Sequence, residues 1–249
     1  GETMFRTVLT SLLAVLVLCG SAFAAEKTLI AAANPTWPPM EFLDENKNII
    51  GYDRDIIAAI AEEIGMKSEF RNIAWDGIFA SLESGQANVI ASCVTITDKR
   101  KKAYVFSDPY YEVHQAVVVA KDSAIKKPED LKGKKVGVQI GTTAIEALRK
   151  MNVDIDLRTY DEVGLVFEDM RNGRLDVVVC DDPVARYYAS RKEGYKDLMK
   201  VAFLTEDVEY IGFVFSKDNA ELAAQVNKGL KAILENGKEK AIRNKWLGE

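Results

Sequence analysis

Short apolar runs alternate along the chain with stretches whose apolar positions recur every three to four residues. Leu29–Ala33 reads as a strand, and Ile56, Ile57, Ile60 and Ile64 line one face of a helix over Asp53–Ile64 that Gly65 ends. Ile78–Leu82 continues a second helix closed by Gly85, and Val89–Ala91 is a strand. Ala116–Ala120 is an apolar, β-branched run of the kind found in strands covered on both faces. Lys135–Val138 (strand), Thr143–Lys150 (helix), Val163–Asn172 (helix), Val177–Val179 (strand) and Pro183–Ser190 (helix) repeat the rhythm. Gly212–Phe215 is one more strand, followed by helices over Ala220–Asn236 and Lys238–Trp246 with Gly237 between them. The pattern predicts an α/β protein with two mainly parallel sheets flanked by helices. Two βα series, 28–106 and 135–203, are joined through an extended segment around Pro109–Ala120 and share no close sequence repeat. Two lobes around a cleft follow, because ligands collect at the carboxyl ends of parallel strands.

The N-terminus departs from this pattern. Arg6 precedes an apolar run, Val8–Leu18, that is too short to span a bilayer, and Ala22-Phe23-Ala24 has the spacing of a signal cleavage site. Residues 1–24 are therefore expected to be a signal peptide, with Gly1-Glu2-Thr3 an upstream scar, and the product is expected to be periplasmic. Leu18 before Cys19 disfavours a lipid-anchored alternative.

Of the 249 residues, 48% are hydrophobic and 29% charged, which excludes a disordered or fibrous chain. A formal net charge of −5 argues against a nucleic-acid partner. One histidine, His114, excludes a multi-histidine metal site, and three cysteines without a C-x-x-C pair exclude a zinc ribbon. No metal and no cofactor is expected.

Chemistry gathers where strands run into helices. Thr95-Ile96-Thr97-Asp98-Lys99-Arg100 follows the strand ending near Ala91, so a helix N-terminus and a guanidinium could grip an anion together. A solvated basic run over 99–102 is the plainer alternative. Gly141-Thr142-Thr143 repeats the arrangement after Val136–Val138, either presenting N–H groups and hydroxyls or simply capping a helix through Thr142. No Walker lysine and no G-x-G-x-x-G accompanies it, so a nucleotide is not expected. In Cys180-Asp181-Asp182-Pro183 one carboxylate can cap the helix and the other can reach an ammonium group. Trp37 and Trp75 are core residues or a clamp for an apolar moiety. Anion grips facing a carboxylate suit a zwitterion.

Six stretches carry a resemblance: PPMEF (38–42), GYDRDIIAAIAEEIG (51–65), WDGIFASLESGQANVIASCVTITDKRKKAYVFSDPYY (75–111), DLKGKKVGVQIGTTA (130–144), GRLDVVVCDDPVARYY (173–188) and NKGLKAILENGKEKAIRNKWLG (227–248). In order and spacing, over roughly residues 28–248, they resemble the periplasmic polar amino-acid-binding proteins, the solute-binding components of ABC importers. The resemblance implies a type II periplasmic-binding-protein fold, with lobe 1 at 25–109 plus 211–249 and lobe 2 at 110–210. It implies a monomer that closes on an L-amino acid, delivers it to an ABC transporter permease in the inner membrane, and has no catalytic residues. Arg100 would take the ligand carboxylate, with Thr95 and the backbone at Cys93 beside it. Thr142 and Thr143 would add contacts from lobe 2, Asp181 would bind the ammonium, and Trp37 and Trp75 would enclose the side chain. Asn34, Gln139 and Cys180 complete the expected ligand-binding set, Cys93 and Cys180 lining the cleft from opposite lobes as free thiols or a pair. Asn34 stands where many members have aspartate, which leans the expectation to a neutral polar or aromatic ligand, unless Glu41, Glu112 or Asp182 supplies a carboxylate. The competing expectations are a cyclohexadienyl-dehydratase-like enzyme on the same scaffold and a ligand-sensing partner of a receptor.

Overall fold

The structure, a computed structural model, describes residues 27–248. The signal peptide expected at 1–24 lies outside the described residues. The chain opens with β1 (Thr28–Ala33), a ribbon of β2 (Thr36–Trp37), β3 (Glu41–Leu43) and β4 (Ile49–Ile50), then α1 (Tyr52–Glu63) and β5 (Lys67–Asn72). It continues through α2 (Ala80–Glu83), β6 (Val89–Ile90), α3 (Asp98–Lys101), β7 (Val105–Phe106), β8 (Tyr111–Val113) and β9 (Gln115–Ala120). The second half holds β10 (Lys135–Gln139), α4 (Ala144–Met151), β11 (Asp156–Tyr160), α5 (Val163–Arg171), β12 (Val177–Asp181), α6 (Asp182–Ser190) and β13 (Met199–Leu204). It closes with β14 (Glu209–Ile211), β15 (Val214–Phe215), α7 (Ala220–Glu235) and α8 (Lys238–Leu247).

Two five-stranded sheets form, in the orders β5-β1-β6-β15-β7 and β11-β10-β12-β9-β13. They have the same layout. In each, the first three strands are parallel, the fourth runs against them, and the fifth runs against the fourth. This similarity is structural only, which is why no repeat is visible in the sequence. The antiparallel fourth strand arrives by a crossing in both cases. β8 leads the chain into β9 of the second sheet, and β14 leads it back into β15 of the first. β8 and β14 pair with each other, Tyr111 opposite Ile211 and Val113 opposite Glu209.

Apolar periodicity accounts for most of this packing. Ile56, Ile57 and Ile60 on α1 are fully buried, each worth roughly 1.5–3 kcal/mol of transfer free energy. α7 reaches α1 closely at Gly229, where a Cβ would lie 2.8 Å from Ile60 Cγ2. α8 is tied to the same face, since Tyr52 donates to Glu239 at 2.7 Å and the Trp246 indole donates to Asp55 at 2.8 Å. From the other half, Arg191 donates to the Trp246 and Leu247 carbonyls at 2.7 and 2.6 Å, satisfying two free carbonyls at the end of α8.

Three expectations shift. The helix over Ile78–Leu82 is a 3₁₀ turn at Trp75–Gly77 followed by the single turn α2. Ala116–Ala120 is a central strand as expected but antiparallel to its neighbours. β5, β11 and β13 were not expected at all.

Gly51 links the fold to the site. Its φ of 131° is open only to glycine, and a Cβ there would lie 2.3 Å from the Met40 carbonyl oxygen. The Asp53 N–H donates to that same oxygen at 2.9 Å. Gly51 thus lets the ribbon residue Glu41 and the helix residue Asp53 approach one another. Gly51→Ala is expected to cost about 3 kcal/mol and lower Tm by roughly 6–12 °C, read by circular dichroism on heating.

Candidate functional site

A cavity of about 340 Å³, mouth included, lies where the carboxyl ends of the two sheets face each other. This is at the small end of the range for small-molecule pockets. From the first-sheet half it is lined by Asn34, Trp37, Glu41, Trp75, Ser92, Cys93, Thr95 and Arg100, and from the second by Gln139, Thr142, Thr143 and Asp181. Ten of the eleven site residues expected from the sequence therefore meet in one place.

The halves touch directly around it. Thr95 Oγ1 and Thr143 Oγ1 are 3.3 Å apart, and Arg100 donates to the Gly141 carbonyl at 3.2 Å. Gln139 donates to Asn34 Oδ1 at 3.4 Å, and Cys93 Sγ lies 3.5 Å from Asp181. This is a closed arrangement of the cleft.

Arg100 is placed by α3. Thr97 caps that helix by accepting the Arg100 N–H at 3.2 Å, and the helix begins where the sequence placed an N-terminus. The guanidinium also donates to the Thr95 carbonyl at 2.8 Å and lies over the rings of Trp75 and Phe79 at 5.7 and 5.6 Å. Burial holds its pKa below the ordinary arginine value, with Asp181 and Glu209 pulling it back up. It is the one cationic side chain among the described residues lining the cavity, so the solvated alternative for the basic run holds for its exposed neighbours only.

Asp181 ends β12 with its carboxylate in the cavity. It accepts from Gln115 Nε2 at 2.6 Å. Burial, and then Glu209, push its pKa up to about 7. Asp182 turns away, accepting from the His114 N–H at 3.1 Å and from Arg186 at 3.0 Å. Asp181 faces inward, but neither carboxylate caps the helix as the sequence suggested: Asp182 is the first residue of α6, which has no side-chain cap, and it binds the His114 N–H and Arg186 instead.

One sequence expectation is corrected and two open alternatives are decided. Cys180 does not line the cavity: side chains alternate along β12, so the residue before Asp181 points to the opposite face, into the buried cluster that also holds Phe167, Val184 and Tyr188. Both Cys93 and Cys180 are free thiols, and burial raises each well above the usual thiol value. Thr142 does not cap α4; its hydroxyl donates to the Gln139 carbonyl at 2.8 Å, and Thr143 occupies the cap position.

Of the residues missed, Glu41, Asp53 and Ser92 lie inside the recognised stretches, and Gln115 and Glu209 lie between them. Glu41, noted above only as a reserve carboxylate, is 1% exposed and lines the cavity. It accepts from Ser92 Oγ at 2.8 Å, and Ser92 in turn accepts from the Asn34 N–H at 3.0 Å. Behind it Asp53, fully buried at the start of α1, accepts the Cys93 N–H at 2.6 Å. That bond holds Cys93 in its left-handed conformation, φ 47°. Burial raises both carboxyls, Asp53 to about 7 and Glu41 well above the usual carboxylate range, with the Asp53 charge adding to the rise on Glu41. Gln115 opens β9 and Glu209 opens the crossing strand β14: Glu209 accepts from Thr143 at 2.6 Å, Gln115 at 3.2 Å and Thr95 at 3.3 Å. A charge inside the apolar run Met40-Glu41-Phe42 was the available signal for Glu41. Glu112 is exposed and takes no part.

Two α/β lobes with a doubled crossing and a polar cavity between them define a two-lobed type II binding protein. The chain belongs to the bacterial extracellular solute-binding proteins, family 3, whose family model matches residues 29–249. It is 32% identical over 223 residues to the L-cystine-binding protein TcyJ of Escherichia coli K12, covering 89% of this chain and 83% of that one. It is also 32% identical over 251 residues to the ABC transporter arginine-binding protein 1 of the same organism, covering 98% and 99%. Among solved structures, an ancestral arginine-binding protein bound to glutamine matches with TM-score 0.83 and 38% identity, over 90% of this chain and 99% of that chain. The ancestral amino acid-binding protein AncCDT-1, a precursor of cyclohexadienyl dehydratase, matches with TM-score 0.81 and 36% identity, over 88% and 95%. Relatives are named as periplasmic or extracellular binding proteins. No helix among the described residues is long and apolar enough to cross a membrane.

Proposed function

We propose that this protein captures an L-amino acid by closure of its lobes, 25–109 with 211–249 against 110–210, and presents it to an ABC transporter permease from the periplasm. The observation that carries the reading is Arg100 and Asp181 facing one cavity from opposite halves. Arg100, with the Thr95 and Thr143 hydroxyls near it, suits the α-carboxylate, and Asp181 suits the α-ammonium. Each end of the zwitterion then rests on a different lobe, so the ligand favours the closed form through contacts the open form lacks. Gln139 and Asn34 already meet across the cleft, and Trp37 and Trp75 supply apolar walls for the side chain.

The side-chain end of the cavity meets Glu41. The lean toward a neutral ligand rested on Asn34 replacing an aspartate. Glu41 restores a carboxylate on the same wall, and a buried carboxylate facing an apolar ligand would go unmatched. A cationic, donor-bearing side chain such as a guanidinium is therefore the preferred cargo. Binding without turnover is the preferred reading, with Asp181 held by Gln115 beside the ammonium position.

The test is thermal unfolding of protein refolded free of ligand, against the twenty L-amino acids. A true ligand at 100 times Kd adds about 2.7 kcal/mol, which at this size moves Tm by roughly 5–10 °C. The largest shift is expected from arginine. Stabilisation by aromatic amino acids alone would overturn the cationic assignment and keep the amino-acid one, and turnover of prephenate or arogenate would establish the enzyme instead.

A further inference from the structure

Glu41 and Asp53 pose a problem of charge that the binding function does not by itself resolve. Both are essentially inaccessible to solvent, and their carboxyls face one another from β3 and the first turn of α1. One oxygen of each is satisfied, Glu41 Oε1 by Ser92 and Asp53 Oδ2 by the Cys93 N–H. The others, Glu41 Oε2 and Asp53 Oδ1, meet no well-aligned donor among the described residues, although the Tyr110 phenol faces Asp53. Two buried carboxylates side by side cannot both ionise cheaply. A single proton between the two orphan oxygens turns an unsatisfied pair into a hydrogen bond with one negative charge.

We infer that Glu41 and Asp53 share one proton, and that a cationic side chain entering the cavity takes its place, so that uptake of the cation is exchanged for release of a proton. The inference rests on the cationic reading of the cargo proposed above. The O–H bond of the pair breaks and the proton passes to solvent. The pair goes from one negative charge to two, and the ligand's positive charge balances the second. The groups facing the pair are consistent with this exchange. From β12 comes Asp181, from the loop after β6 the Cys93 thiol and Ser92 hydroxyl, and from the segment before β8 the Tyr110 phenol. None of these brings a positive charge. Burial raises the Cys93 thiol and the Tyr110 phenol well above their usual values, so both stay neutral. Asp181 can also give up a proton when it meets an ammonium, but it does so for every amino acid. The excess for a cation belongs to the Glu41–Asp53 pair.

The experiment is calorimetric titration of the protein with L-arginine and with L-glutamine near pH 6.5, in phosphate and in imidazole, whose ionisation heats differ. Arginine is expected to release about one proton more than glutamine. Its affinity relative to glutamine is expected to rise by up to about tenfold per pH unit until the free pair loses its proton, and then to level off. Glu41→Gln, an uncharged isostere, is expected to abolish the excess. Equal proton release for the two ligands, or an excess that survives in Glu41→Gln, overturns the exchange and leaves the cargo assignment standing. Absence of any arginine binding overturns both. Should Glu41→Gln not fold, the pH dependence of the arginine-to-glutamine affinity ratio in the unaltered protein decides alone, and a flat ratio overturns the exchange.

Discussion

Arg100→Ala is expected to leave a folded protein that no longer holds an amino acid. Arg100 lies at the junction of the halves, donating to the Thr95 carbonyl of one and the Gly141 carbonyl of the other. It is the single cation among the described residues lining the cavity, and so the group there that can neutralise an α-carboxylate. Truncating one partner of a desolvated, hydrogen-bonded charge pair costs about 2–5 kcal/mol or more, a loss of roughly 30- to 4000-fold in affinity. Arg100→Lys keeps the charge and loses the two-pronged geometry, so an intermediate loss is expected. Calorimetric titration measures both, with circular dichroism to establish that each variant folds. Near-normal affinity of Arg100→Ala would mean that the carboxylate rests elsewhere.

Asp181→Asn should also remove binding, but with the opposite effect on the empty protein. The Asp181 pKa stands near 7 in the ligand-free fold, against about 3.9 in an unfolded chain. Between these values the folded state holds more protons than the unfolded state, so this group makes stability fall as pH rises from about 4 to 7. Above pH 7 the penalty is complete, on the order of 3–4 kcal/mol. Asp53 adds in the same direction. The neutral asparagine escapes the penalty and can still accept from Gln115. Ligand-free Asp181→Asn is thus expected to melt roughly 6–15 °C higher than the parent at pH 8. The difference should fall to about a third of that at pH 5 and to little at pH 4. A lower melting temperature at pH 8 would show that Asp181 is held as a stable ion by its surroundings. The aspartate is then a case of stability given up for a site that becomes satisfied only when an ammonium arrives.

Both variants act on residues that could be read from the sequence, and the reasons are local. Thr97 is a cap because it precedes a helix, and Arg100 follows three residues later on its first turn. Asp181 ends an apolar strand and precedes Asp-Pro, a helix start. α1 was legible because its isoleucines keep the helical period. The edge strands were not. β5 (Lys67–Asn72) and β11 (Asp156–Tyr160) are partly exposed along their length, so burial imposes no alternation on them. Cys180 was misplaced although a period of two on β12 separates it from Asp181; resemblance over the motif hid the alternation. Glu41, Gln115 and Glu209 could not be grouped in advance. They come from a ribbon, a sheet strand and a crossing strand that no helix or strand period relates, and the pairing of β8, just before Gln115, with β14 brings the last two together.

The layout of the sheets bears on how the chain assembles during synthesis. Every strand of the second sheet lies within residues 115–204, an unbroken stretch. The first sheet is different: β15 fills the lane between β6 and β7, and nothing N-terminal to Val214 can occupy it. A nascent chain that has made residues 27–106 holds two separate pieces of sheet with a vacant lane and no α7 or α8 to cover them. Growth from the N-terminus usually completes the leading domain first. Here the order is inverted: every residue lining the cavity has been made by Asp181, yet the half made first is finished last.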